Sequence, residues 1–241
     1  MSSKKQENPL LNLVFSVIIP SLILTKASSP ERLGPVFSVI LALSFPLAYS
    51  IYDFAKRRDF SFITGLGFVS TLLTGIFVIY QLPTKWIAVK EASIPFLIGS
   101  AILFSMRSSS PLVKKVLYND SIINVDLVEA RLESHHQKSG FEKLLEQSSY
   151  LLAGSFLLSA ILNFTLARYL LVGSPGTPEF NEQLGKMHAM SWPVIALPST
   201  AILMFALWRL MKGIESLTGL TMEEVLKNHE KSKSEPPTSQ V

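Results

Sequence analysis

Long apolar blocks constrain the fold of this chain more than any other feature of its sequence. The clearest block, residues 61–82, contains no charged residue. A helix rises 1.5 Å per residue, so about 20 apolar residues cross the roughly 30 Å hydrocarbon core of a bilayer. Within lipid, a helix satisfies its own backbone hydrogen bonds. The blocks therefore predict an all-α fold, a polytopic transmembrane helical bundle.

Six blocks of this kind predict six spans. They cover residues 10–24, 35–52, 61–82, 86–106, 144–172 and 192–210. The composition agrees, since 48% of the 241 residues are hydrophobic and 17% are charged, against roughly 25% charged in an ordinary soluble domain. Six spans use about half of the chain and leave little room for a soluble catalytic domain.

The basic residues predict an orientation. With the amino terminus in the cytoplasm, sixteen of the 22 lysines and arginines fall in cytoplasmic segments and six in outer segments. Basic residues favour the cytoplasmic side. Both termini are then cytoplasmic, as an even number of spans requires. The net charge of +4 is too small to indicate nucleic-acid binding.

The first block has a second interpretation, as a cleaved secretory signal. Lys4 and Lys5 precede an apolar stretch that ends near Ala27, which is the order of features in a signal peptide. Asn12 and Pro20 interrupt that stretch. Removing it would leave five spans with the termini on opposite sides of the membrane, so the two interpretations differ in topology.

The longest segment outside the predicted spans is a cytoplasmic connector at residues 107–143. Within it, Val125, Val128 and Leu132 share one face of a predicted helix, and acidic side chains share the opposite face. Such a helix either lies on the membrane surface or packs on its own protein. The connector belongs to a predicted membrane domain of residues 1–220.

The remaining residues, 221–241, are predicted to be a short helix followed by a disordered tail. Thr221 and Glu224 have the spacing of a capping box, and the tail is polar. On the outer side, residues 173–190 are predicted to be a loop that turns at two prolines and a glycine. Within it, Glu182 and Lys186 have an i, i+4 spacing that gives weak support for a helix. His188 borders this loop, where a solvated histidine is expected.

Charged residues near the outer ends of the spans are the strongest functional signal. They are Lys90 and Glu91 of the fourth span, Arg168 of the fifth, and Glu182 and Lys186 of the outer loop. An ionisable group at the centre of a span costs roughly 2.5–3.5 kcal/mol, so it is normally paired or faces a cavity. One interpretation is a polar pocket for a ligand or an ion. The other is structural: Lys90 and Arg168 extend to the membrane surface, and one of them neutralises Glu91.

Small and polar residues in the spans indicate contacts between helices. Gly67, Thr71 and Gly75 recur every four residues on the third span, so they share one face on which another backbone can approach closely. Packing within the bundle is favoured over a homodimer seam, which stays an alternative. Asn12 and Asn163 are each predicted to form a hydrogen bond between helices.

The sequence predicts no metal ion and no cofactor. It contains no cysteine, which excludes thiolate ligands and disulfides. No predicted span contains a histidine, the usual axial ligand of a buried haem. No nucleophile elbow, phosphate loop, zincin or dinucleotide signature is present. An enzyme is therefore disfavoured.

Three segments of the chain are similar to small bacterial inner-membrane proteins of the intracellular septation protein A type. They are residues 8–12 (NPLLN), residues 160–163 (AILN) with Arg168, and residues 180–187 (FNEQLGKM). The resemblance extends over most of residues 8–220, and none of its motifs is catalytic. It implies a bacterial inner-membrane protein concerned with envelope growth or division through protein partners. The connector and tail are longer than in the septation proteins.

Two hypotheses about function follow. The first is a non-enzymatic envelope or interaction protein, whose partners are membrane lipids, other envelope proteins or a second copy of the chain. The second is a small transporter of a solute or an ion that uses the region of Lys90, Glu91 and Arg168. A transporter requires polar groups facing a water-accessible cavity, whereas an interaction protein requires an exposed partner surface, for which the connector is the expected place.

Overall fold

A computed structural model describes residues 14–57, 62–107, 112–118 and 123–226. These residues form helices joined by short turns, which confirms the predicted all-α fold. Within the described ranges, the one extended pairing is an isolated antiparallel bridge between Ile123 and Leu226.

The helices follow one another along the chain with few intervening residues. The first, α1 (Ile19–Lys26), continues a π-helical turn at Val14–Ile18, and a second π-helical segment, Trp192–Ala196, joins α8 to α9. The other helices are α2 (Gly34–Arg57), α3 (Phe62–Ile79), α4 (Thr84–Ser105), α5 (Leu112–Val116), α6 (Val125–Ser134), α7 (Lys138–Leu170), α8 (Pro178–Ser191), α9 (Leu197–Thr218) and α10 (Met222–Val225).

Four helical segments are long and apolar enough to cross a membrane. They are Gly34–Tyr52, Thr84–Ser105, Lys138–Leu170 and Pro178–Thr218. These correspond to the second, fourth, fifth and sixth predicted spans. The described apolar part of the third span is the shorter Phe68–Ile79, and the first predicted span begins outside the described residues. The described residues thus contain four helical segments able to span a membrane, and the count of six spans stays a prediction.

The apolar helices present most of their surface outward. In α4, 22% of the most apolar 18-residue window is buried within the protein. On α7, Tyr150 and Tyr169 are both exposed and lie 19 positions apart, which is about 28 Å of helix. Tyrosine favours the two interfaces of a bilayer, which lie about 30 Å apart. This pattern is typical of helices whose outer faces contact lipid.

The chain divides into two compact units. The first contains residues 1–94 and 159–197, and the second contains residues 95–158 and 198–241. In the first unit, α1, α2 and α8 pack together around a core that includes Leu24, Val39, Phe180 and Leu184, all fully buried.

Helix α8 corrects the prediction of an outer loop at residues 173–190. Thr177 caps the helix by accepting a hydrogen bond from the Phe180 amide, and Pro178 occupies its first turn, where a missing N–H is harmless. Phe180, Leu184 and Met187 lie on one face and are buried. Loop prolines and exposed charges obscured this apolar face in the sequence. The segment is a packed amphipathic helix.

In the second unit, the apolar face of the connector helix α6 packs against the protein. In α6, Val128 and Leu132 are buried in a core that also contains Phe141, Ile214 and Val225. The acidic residues on the opposite face, Asp126, Glu129 and Glu133, are exposed. Of the two predicted arrangements, the structure shows α6 packed on its own chain.

The predicted capping box is confirmed. The Thr221 amide donates to the Glu224 carboxylate at 2.8 Å, and the Glu224 amide donates to Thr221 Oγ1 at 3.4 Å. This cap fixes α10, so that Val225 enters the core of the second unit. The predicted disordered tail lies outside the described residues.

The predictions on helix packing have mixed outcomes. A Cβ atom on Gly75 would lie 3.0 Å from Leu43 Cδ1 of α2, so α3 packs closely on α2 within the chain, as expected. Asn163 donates to the Ser159 carbonyl of its own helix at 2.8 Å, rather than to another helix, because the side-chain amide reaches the preceding turn directly. Asn12 and the surroundings of Gly67 lie outside the described part of the chain.

Candidate functional site

The turn between α3 and α4 places Lys90 opposite Thr74. Helix α3 ends at Ile79 and α4 begins at Thr84, so the two helices form an antiparallel hairpin. Thr74 lies five residues before the end of α3, and Lys90 lies six residues after the start of α4. At 1.5 Å per residue, both lie about 8–9 Å from the turn, and their side chains meet.

The Lys90 ammonium is bound by α3 through three oxygen atoms. Lys90 Nζ donates to Thr74 Oγ1 at 2.6 Å, to Ser70 Oγ at 3.1 Å and to the Ser70 carbonyl at 3.2 Å. Thr74 Oγ1 also donates to the Ser70 carbonyl at 3.1 Å, which fixes the orientation of its lone pairs. The side chain of Lys90 is 8% exposed. Helix α3 thus forms a preorganised cradle for one ammonium group.

Glu91 neutralises this ammonium but is held less firmly. Its Oε1 lies 2.7 Å from Lys90 Nζ, and its side chain is 20% exposed. Among the described residues, Glu91 forms no other side-chain hydrogen bond or ion pair. Lys90 is therefore anchored by both a carboxylate and α3, whereas Glu91 is anchored by Lys90 alone.

The structural interpretation predicts that Glu91 is neutralised and that Lys90 extends to the membrane surface, and the position of Lys90 agrees with the first prediction only. Glu91 is neutralised by Lys90, as that interpretation requires. The ammonium, however, contacts Ser70 and Thr74, which lie nine and five residues before the end of α3. A lysine that extends to the membrane surface would direct its ammonium to the turn instead. The chain holds this charge inside the helix pair.

His188 lies near the Lys90–Glu91 pair, although the sequence indicated a solvated position for it. It belongs to α8 and is partly buried, and the charges of Lys90 and Glu91 act on its imidazole without a direct hydrogen bond or ion pair among the described residues. The sequence places His188 on the same helix face as Asn181 and Gly185, which could have indicated a packed position for it. That inference requires a helix to be predicted at these residues.

Helix α8 is fixed in place by buried polar contacts with the first two helices. Asn181 is fully buried, and its amide nitrogen donates to the Pro35 carbonyl at 2.7 Å and to Ser28 Oγ at 3.2 Å. One turn later, a Cβ atom on Gly185 would lie 2.9 Å from Thr25 Cγ2 and 3.0 Å from the Ser21 carbonyl. This close approach determines where His188, one further turn along, can lie.

The other predicted site residues lie apart from Lys90. Glu182 and Lys186 form an ion pair at 2.6 Å on α8, with both side chains at least half exposed. Arg168 is exposed and forms no hydrogen bond or ion pair with a described residue. The structure thus joins four of the five predicted residues into two pairs, leaves Arg168 outside both, and connects neither pair to the other.

The chemistry available at this site is charge pairing and hydrogen bonding. The described residues include no group of three or more histidine, aspartate or glutamate side chains that could hold a metal ion. The Lys90 ammonium, the Glu91 carboxylate and the hydroxyl groups of Ser70 and Thr74 instead form a polar cluster among apolar helices. In a membrane segment, an ionisable cluster of this kind is by default a candidate functional site.

Fold and site together define an all-helical protein with helices able to span a membrane and a lysine–glutamate pair in which the lysine is buried. No protein-family model, curated protein or solved structure matches the chain.

Proposed function

We propose that this chain is a multi-pass protein of the bacterial inner membrane, with six spans and both termini in the cytoplasm. Four apolar helices of spanning length support the membrane assignment. The sixteen-to-six distribution of basic residues supports the orientation. In this topology, α3 leaves the membrane and α4 enters it on the outer side, so the Lys90 cluster lies in the outer half of the bundle.

Within that framework, the chain functions as a small, non-enzymatic carrier of a solute or an ion. The observation that supports this function is the Lys90–Glu91 pair, held by Ser70 and Thr74 about 8–9 Å inside the helix hairpin. A buried ion pair is often no more stabilising than apolar packing of the same volume. A binding role explains why the chain carries one here.

An envelope protein that acts through partners has less support. The connector helix α6 was the expected docking surface, and its apolar residues Val128 and Leu132 are covered by the chain itself. The exposed face of α6 is polar. Glu129 Oε1 lies 3.5 Å from Lys114 Nζ, and Glu133 pairs with Lys138. Surface ion pairs of this type contribute little to binding or stability.

A carrier must expose its site to water on each side of the membrane in turn, and a cysteine at Thr74 reports this exposure. The chain contains no native cysteine, so a single Thr74→Cys variant gives an unambiguous signal. We expect a small, charged methanethiosulfonate reagent to modify Cys at position 74 in both right-side-out and inside-out vesicles. Labelling is measured by mass spectrometry.

The control is Val78→Cys, one turn further along α3, where the native side chain is 3% exposed. Position 78 is expected to stay unmodified in both vesicle orientations. Modification of position 74 from one side alone, or from neither side before denaturation, contradicts a carrier.

A further inference from the structure

Lys90 and Glu91 differ in how many partners hold their side chains in place. Lys90 Nζ has three oxygen partners on α3 that do not involve Glu91. If Glu91 turns away, the ammonium therefore stays in place with a vacant position for an anion. Glu91 is the more exposed of the two side chains, 20% against 8%, and has no second anchor among the described residues.

We propose that the Glu91 carboxylate occupies the position of a ligand carboxylate, and that the substrate is a monocarboxylate which displaces Glu91 from Lys90. This inference rests on the proposed carrier function and specifies its substrate class. Exchange of one carboxylate for another keeps the Lys90 ammonium paired, and an unpaired ammonium in the bilayer would be costly. The displaced Glu91 carboxylate, the more exposed of the two side chains, is hydrated by the water that admits the substrate. The Thr74 hydroxyl keeps the ammonium oriented throughout.

Glu91 acts in this scheme as an intramolecular competitor. A site that is open in a fraction of molecules binds its ligand with an affinity reduced by that fraction. When the internal carboxylate occupies the ammonium in more than about nine molecules of ten, removing it raises the apparent affinity by about tenfold or more. Glutamine is nearly the size of glutamate and carries no charge, so Glu91→Gln removes the competitor with little change in shape.

The test measures equilibrium binding of radiolabelled carboxylates to the full-length protein purified in detergent. Acetate represents a carboxylate that arrives from water, and laurate represents one that arrives from the lipid phase. We expect Glu91→Gln to bind at least one of them about tenfold or more tightly than the wild-type protein does. The Lys90→Met, Glu91→Gln double variant is expected to bind neither.

Glu182→Gln is the matched control, because Glu182 forms the same type of pair with Lys186 at 2.6 Å but in an exposed position. Its binding is expected to equal that of the wild type. If Glu91→Gln does not remain monodisperse, Glu91→Ser serves the same purpose. Unchanged affinity for both carboxylates in a folded Glu91 variant overturns the inference, as does binding that persists without Lys90.

Failure of this inference differs from failure of the carrier proposal. If position 74 is modified from both sides of the membrane but neither carboxylate binds, the carrier function stands and its substrate belongs to another class. If a carboxylate binds but position 74 is closed to one side, the anion site stands and transport does not.

Discussion

Replacing Gly185 by leucine is expected to prevent the first unit from packing and to cost about 3 kcal/mol or more of stability. The Cβ atom alone would lie 3.0 Å from the Ser21 carbonyl oxygen and 2.9 Å from Thr25 Cγ2. A backbone oxygen cannot rotate away as a side chain can, so α1 and α8 must separate. Overpacking of this kind costs typically 1–3 kcal/mol, and more where the backbone must shift.

The measurement is the temperature at which the detergent-purified protein loses its monodisperse peak in size-exclusion chromatography. The control is Gly154→Leu on α7, because a Cβ atom there has nothing within 4 Å and the position is exposed. That variant is expected to match or slightly exceed the wild type, since glycine is a poor helix former. Equal stability of the two leucine variants would contradict the close contact between α1 and α8 at Gly185.

Replacing Asn181 by alanine is expected to cost about 1–3 kcal/mol, because it removes two hydrogen bonds of a buried side chain that each contribute about 0.5–1.5 kcal/mol. The Asn181 amide joins α8 to both the Pro35 carbonyl and Ser28 Oγ, and its side chain is fully buried. Removing it frees the turn between α1 and α2 from α8. The same thermal assay measures the loss.

Asn163→Ala provides the comparison, because Asn163 bonds to Ser159 within its own helix. Alanine is an excellent helix former, so this substitution is expected to change stability by less than about 0.5 kcal/mol. A larger loss for Asn163→Ala than for Asn181→Ala would contradict the assignment of Asn181 as the link between helices.

The apolar spans could be predicted because their length and composition alone determine what they can form. A stretch such as Thr84–Ser105 has no stable alternative to a buried or lipid-facing helix. The capping box at Thr221 could be predicted for a similar reason, since its two hydrogen bonds connect residues three positions apart.

Contacts between distant segments were harder to predict. That Lys90 meets Ser70 and Thr74 depends on the length of the turn at residues 80–83, which sets the register of the α3–α4 hairpin. The pairing with Glu91 was an open alternative because adjacent residues on a helix point about 100° apart. Both side chains are long enough to meet despite this angle, and Lys90 Nζ lies 2.7 Å from Glu91 Oε1.

For the amphipathic segments, the sequence does not determine what covers the apolar face. The apolar face of α6 fits a lipid surface and a protein core equally well, and only the positions of Phe141 and Ile214 distinguish them. Helix α8 had only the weak support of the Glu182–Lys186 spacing, because the prolines before it indicated a turn. As a result His188, which depends on that helix for its position, was assigned to solvent.

The central claim, that these helices lie in lipid, is tested most directly by a cysteine at Leu97 of α4. Its side chain is 64% exposed on the protein surface, so water would reach it in a dissolved protein, whereas in a bilayer hydrocarbon covers it and a thiol there does not ionise to react. Leu33→Cys, in the turn between α1 and α2 and also exposed, is the control. In membranes, a charged maleimide is predicted to modify position 33 and to leave position 97 unmodified until detergent denatures the protein. Equal modification of both positions would contradict the account.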